Sequence, residues 1–219
     1  MAEFFTILVV RPAAEPSCLQ SPIYSNAMQR RLSEEFALVV ADSRNAKVKS
    51  GFSVQFIPFS DPRSTKLWSE LPLSTFRVHL VQQKKDESGI ISLVNRVAPE
   101  SDAKALMAQM KAEGGLGGRS KIGENSAFVS TTKFEEGLLF DSTVNLKHLT
   151  NAGLQMGGLA AHELGHAMGI PKNQGNGLMS NQKFVIDLED SNVPISRVHF
   201  EPNDKKIILP TLEGIAGKK

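Results

Sequence analysis

The stretch "AAHELGHAMGIPKNQGNGLMS", residues 160–180, decides how this chain is read. It contains His162-Glu163-Leu164-Gly165-His166, an HExxH pattern. On a helix each residue advances about 100°, so the two histidines stand one turn apart on the same face. Imidazoles placed this way can reach a single Zn²⁺. Glu163 lies about 100° around from His162, beside the metal without ligating it, where a carboxylate can take a proton from a zinc-bound water. Ala160, Ala161, Leu164, Ala167 and Met168 fall on the opposite side and are all apolar. That face is expected to pack on a sheet and leave the histidines toward a cleft. The competing reading is a buried amphipathic helix with two incidental histidines, and the flanking residues weigh against it.

Those flanks carry a family likeness. His-Glu-x-x-His-x-x-Gly, completed by Gly169, and the "NGLMS" segment with Met179 resemble the metzincin clan of zinc endopeptidases. The likeness is specific over residues 160–180 and weaker elsewhere. It implies a zincin-type α+β fold: a twisted mixed β-sheet backed by helices, an active-site helix carrying HExxH, and a small irregular C-terminal subdomain. It also implies that Gly169 lets the chain leave the helix sharply and that Met179 lies in a turn forming an apolar floor under the metal. Glu163 is then the catalytic general base, His162 and His166 are metal ligands, the cofactor is Zn²⁺, and the substrate is a protein or peptide. In the clan an edge strand binds substrate in extended form, and "SAFVSTTKF", residues 126–134, is the candidate for it by β-augmentation. A plain internal strand is the equal alternative. The segment 180–190 is expected to line the specificity pocket.

One position departs from the family. Where the clan places a third ligand, His or Asp, this chain has Lys172. An ammonium offers three donors and no lone pair, so it repels a cation. Catalytic zinc normally takes three protein ligands and a water. Asn173 is the immediate neighbour, and a slipped loop can present its amide oxygen, a weak ligand. Asp187, Glu189, Asp190, Glu201, His199 and His148 are further candidates, against which stand a solvated acidic surface for "DLED" and a structural role for His199. Two histidines with waters is another arrangement. The last is loss of metal, with Lys172 filling the electrostatic role of the ion. That describes a catalytically inactive zincin-fold protein-binding module, although such a module has no need to keep Glu163, both histidines, Gly169 and Met179 together.

The rest of the chain frames this site. A length of 219 residues suits a single domain, here expected over 1–219 as an N-terminal subdomain of about 1–169 and a C-terminal one of about 170–219. With 41% hydrophobic and 22% charged residues it has the make-up of a globular protein, and a net charge of +2 gives no electrostatic case for nucleic acid. The single cysteine, Cys18, excludes an intrachain disulfide and reads as inert. "FFTILVV", residues 4–10, is too short to span a membrane and lacks the flanks of a signal peptide, so it predicts a buried first strand. Cytoplasmic residence and export by a dedicated route both fit.

Ser25 or Asn26 is the expected cap of a helix with apolar positions at Met28, Leu32, Phe36 and Val39 or Val40. Strands are expected in "VKSGFSVQFIPF", "FRVHLVQQ", "ISLVNRV" and "SAFVSTTKF", and a helix over 99–115. "GGLGGRSKIG", residues 114–123, reads as a flexible connector because it lacks the Gly-Lys-Ser/Thr ending of a phosphate loop. The helix bearing HExxH is expected at least from Leu154, and after Pro171 the chain is expected to be loop-rich. The resulting order of strands and helices is an α+β plan.

Overall fold

The computed structural model describes residues 4–12, 19–85, 91–93, 118–120, 122–132, 134, 138, 145–172, 174–180, 187–190 and 193–217. The helix expected over 99–115, Cys18 and Asn173 lie outside these residues. The described chain is α+β, built on a mixed five-stranded sheet.

Strand β1 (Phe5–Val10) lies between β2 (Phe52–Ile57) and β3 (Thr75–Val81) and runs parallel to both. A strand flanked by parallel neighbours is covered on both faces, so its sequence reads as a continuous apolar run rather than an alternating one. That is why "FTILVV" carries no alternation. The returns between parallel strands need crossovers, and helix α1 (Pro22–Ala41) supplies the first of them. The short helix α2 (Ala46–Lys49) lies in the same connection, and α3 (Pro62–Thr65) lies in the next one, between β2 and β3. Strands β4 (Gln83–Lys85) and β5 (Ile91–Leu93) form a separate antiparallel pair. The main sheet is completed by β6 (Gly118–Ser120) and β7 (Ser126–Ser130), giving the order β2-β1-β3-β7-β6, with β7 parallel to β3 and β6 antiparallel to β7.

One sheet face carries Phe5, Ile7, Val9, Phe76, Val78, Leu80, Ala127 and Val129 into the core shared with α1 and the long helix α4 (Leu146–Ala167). The opposite face buries Leu8, Val10 and Ile57 together with Arg77 and His79. There the terminal nitrogens of Arg77 donate to the carbonyls of Arg63, Ser64 and Lys66 and to the Ser126 hydroxyl.

Three expectations need correction, and one helix reaches further than its expected minimum. Helix α1 starts at Pro22, with Ser21 as its cap accepting from the Ile23 amide, not at Ser25 or Asn26. Proline at the first helical position has its φ preset and no amide to leave unpaired, and Ser25 becomes a buried helical residue. Helix α4 is helical from Leu154 as expected and begins earlier, at Leu146, with the Asn145 side chain accepting from the His148 amide at 2.9 Å. Its first half is rich in glycine, a poor helix former, but these glycines allow close packing. A Cβ on Gly153 would lie 2.7 Å from Ala27 Cβ and closer still to the Tyr24 carbonyl; one on Gly157 would lie 2.8 Å from the Met28 carbonyl. Part of the expected glycine-rich connector, Gly118–Ser120, is the sheet's outer strand. The C-terminal region is not irregular throughout. Residues Pro202–Gly217 form helix α6 with Pro210 inside it, after the single-turn helix α5 (Pro194–Arg197). Proline costs a helix one hydrogen bond, and burial of Ile208, Leu212 and Ala216 in the core offsets that cost.

Candidate metal centre

Helix α4 runs beneath the outer end of the sheet and brings the HExxH residues together. His162 is 2% exposed and His166 half-buried, and their ring centroids lie 4.8 Å apart at 82°. Each ring is held by a backbone carbonyl. Nδ1 of His162 donates to Leu178 O and Nδ1 of His166 to Ile170 O, both at 2.7 Å. A carbonyl can only accept, so these bonds assign the proton to Nδ1 and the lone pair to Nε2 in each neutral ring. This is the arrangement in which histidine ligates a metal through Nε2 while its other nitrogen is oriented by a carbonyl or carboxylate.

The acceptors come from the two features flagged in the sequence. Gly169 adopts φ of +122°, a region that suits glycine. The chain turns there, and the Ile170 amide bonds back to Gly165 O at 3.1 Å, which brings the Ile170 carbonyl under His166. Met179 sits in a tight turn closed by the Ser180 amide on Gly177 O at 3.0 Å. It is fully buried. A Cβ on Gly165 would lie 2.8 Å from Met179 Sδ and 2.9 Å from the Phe200 ring. Gly165, between the two histidines in sequence, is therefore the point where the turn presses against the helix.

Glu163 is buried at 6% exposure. Its Oε2 accepts from the Ser120 hydroxyl at 3.1 Å, and a Cβ on Gly118 would come within 2.5 Å of its Cγ. Strand β6 thus lies across the helix at Glu163. The hairpin turn behind it is tied to the helix end by the Gly123 amide on Ala167 O at 3.1 Å. Ser120 and Gly118 were not expected from sequence, because a Gly-Arg-Ser triplet carries no strand pattern. The expected edge strand is corrected accordingly: residues 126–130 are interior, between β3 and β6, and the outer strand is β6.

Lys172 is exposed in the loop after Pro171. The other candidates for a third ligand have partners elsewhere. Asp187 accepts from the Glu189 and Asp190 amides. Glu189 pairs with Lys147 and with His148, and these two partners, Lys147 first, hold its carboxyl below the ordinary range. His199 pairs with Glu35, and Glu201 accepts from the Asn176 amide. Among the described residues no group of three or more His, Cys, Asp or Glu side chains converges as a metal site. The two imidazoles, with Nδ1 pinned and Nε2 carrying the lone pair, fit zinc in donor type and in their outer hydrogen bonds.

No protein-family model and no curated protein matches the sequence. Solved structures resemble it over nearly its full length at low identity. An archaemetzincin from Methanopyrus kandleri is 14% identical with a TM-score of 0.43, covering 95% of this chain and 96% of that one. A zinc-dependent peptidase from Methanocorpusculum labreanum strain Z is 12% identical with a TM-score of 0.46, covering 92% and 99%. An archaemetzincin from Archaeoglobus fulgidus, complexed with malonate, is 14% identical with a TM-score of 0.40, covering 93% and 100%. At these identities no residue correspondence follows from the likeness.

Proposed function

We propose that this chain is a zinc-dependent endopeptidase. The observation that carries the reading is the pair of Nδ1-to-carbonyl bonds at His162 and His166. Two histidines one turn apart, both held in the same tautomer by carbonyls, are prepared for a cation rather than for packing alone. His162 and His166 would hold the metal through Nε2. Asn173 is proposed as the third group on its sequence position alone. Bound zinc supplies a water of pKa about 7 and polarisation of the scissile carbonyl.

The chain's own residues supply the rest. Glu163 accepts the proton of the attacking water and returns it to the leaving amine. The Ser120 hydroxyl donates to one carboxylate oxygen and so helps to orient the base. A peptide in extended form can pair with the outer edge of β6, which places its backbone across Glu163.

Elemental analysis of purified protein tests the reading first, and about one zinc per chain is expected. Glu163→Ala should keep that zinc and lose cleavage of a fluorogenic unfolded-protein substrate. Cleavage that survives the substitution removes Glu163 as the base. A chain that neither takes up zinc nor changes stability on chelation removes the reading altogether and leaves the noncatalytic binding module.

A further inference from the structure

Arg31 and Glu35 are charged residues on the buried stripe of α1, 1% and 0% exposed, and they pair with each other. An ion pair withdrawn from water is weak evidence for stability, because desolvation offsets much of the attraction unless the remaining donors and acceptors are met. Here both Glu35 oxygens and the two terminal nitrogens of Arg31 are engaged, with one short segment, residues 198–200, supplying the partners outside the pair, while Arg31 Nε has no hydrogen-bond partner among the described residues. Arg31 Nη2 donates to the Val198 carbonyl. Glu35 accepts from His199 Nδ1 at 2.6 Å and from the Phe200 amide at 3.2 Å. The segment is therefore gripped at three successive residues.

That segment touches the candidate metal centre in two ways. The His199 carbonyl accepts from the Leu178 amide at 2.9 Å, and the Leu178 carbonyl is the acceptor for His162 Nδ1 at 2.7 Å. The Phe200 ring packs against Gly165 beside Met179. A continuous path of hydrogen bonds thus runs from Arg31 and Glu35 through His199 and Leu178 to the ring of His162.

We infer that the buried Arg31–Glu35 pair is a positioning device for metal binding, clamping residues 198–200 so that the Leu178 carbonyl holds His162 in its metal-accepting tautomer and orientation. The inference rests on the zinc-site reading above. Neither residue touches the metal, and both act through the turn.

The test is the zinc Kd by competition with a chromophoric chelator, measured on the parent and on the double variant Arg31→Met/Glu35→Leu, with the unfolding midpoint of each metal-free protein. Replacing both charges by apolar groups of similar volume is often neutral for stability, so the double variant is expected to fold with a midpoint near the parent's. Its zinc Kd should be weaker by about tenfold, the lower end of what loss of a ligand's outer partner produces. The Co²⁺-loaded variant should also show an altered ligand-field absorption, which a purely structural pair would leave unchanged. A folded double variant with the parent's zinc Kd and Co²⁺ spectrum overturns the inference. Should the double variant fail to fold, His199→Ala decides, because that side chain is 51% exposed and its loss removes one tether alone. A zinc Kd weaker by roughly threefold or more is expected there, and an unchanged Kd overturns the inference. A parent chain that takes up no zinc overturns the zinc-site reading itself and this inference with it.

Discussion

The His162 ring donates through Nδ1 to the carbonyl of Leu178, 2.7 Å away, from the residue immediately before Met179. The same turn that floors the site therefore also sets the tautomer of one histidine. Its neighbour His166 is set by Ile170, just past Gly169. Helix, glycine exit and methionine turn are one hydrogen-bonded unit, and a cation that engages Nε2 of both rings stabilises the fold that presents them. We expect zinc added to chelator-treated protein to raise its unfolding free energy by about 2.7 kcal/mol at a free concentration a hundred times Kd. His162→Ala and His166→Ala should each remove that gain. Chemical unfolding with and without zinc measures it, and a parent whose stability ignores zinc refutes the expectation.

Gly153 and Gly214 are both helical glycines, and alanine at the two positions should have opposite effects. Alanine gains up to about 1 kcal/mol of helix propensity over glycine. At Gly214 in α6 an added Cβ meets nothing within 4 Å, so Gly214→Ala should stabilise by about 0.5–1 kcal/mol. At Gly153 the Cβ meets Ala27 Cβ at 2.7 Å and the Tyr24 carbonyl even closer. A backbone oxygen cannot rotate away, and overpacking of this kind costs about 1–3 kcal/mol, which exceeds the propensity gain. Gly153→Ala should therefore destabilise by about 1–2 kcal/mol. Urea unfolding of both variants reads the two signs, and a stabilised Gly153→Ala would mean that α1 and α4 are not in close contact there.

The contrast shows which parts of this structure were legible in the chain. The HExxH face was legible from the helical periodicity of residues 160–168, and the first strand of the α+β plan from the continuous apolar run of residues 4–10. Strand β6 was not legible, since Gly118, Arg119 and Ser120 become a strand only by pairing with β7. Helix α6 was hidden by Pro210, whose cost is offset by tertiary burial that no local pattern reports. The first half of α4 was hidden by glycines whose purpose is contact with α1. The buried ion pair also leaves a mark in the sequence. With apolar residues at Met28, Leu32, Phe36 and Val39, helical spacing already puts Arg31 and Glu35 on the buried face of α1. Two opposite charges four residues apart on such a face require buried partners, and the segment beside the candidate metal centre supplies them.

His79 offers a prediction that does not depend on metal. Its ring is buried, stacked on Phe128 at 5.1 Å, and its Nε2 has no hydrogen-bond partner among the described residues. Burial, and then the positive charge of Arg77, hold its pKa well below the ordinary 6.5. The folded chain thus keeps His79 neutral at a pH where the unfolded chain protonates it. The unfolded state then binds the extra proton, and stability falls as pH drops below about 6.5, by up to about 1.4 kcal/mol per pH unit until the folded value is reached. Above that range His79 contributes no pH dependence. In His79→Phe the ring stack can persist while the titration is gone. Between pH 7 and pH 5.5 the parent should lose on the order of 1 kcal/mol more than this variant. Taking the difference between the two proteins cancels the other histidines and the exposed carboxylates, including Asp61, whose pKa of about 2 beside Arg63 affects only far more acidic conditions. Urea unfolding of both proteins at the two pH values, in chelator, gives the number. A parent–variant difference that stays constant across this range would show that His79 is protonated as readily in the folded chain as in the unfolded one.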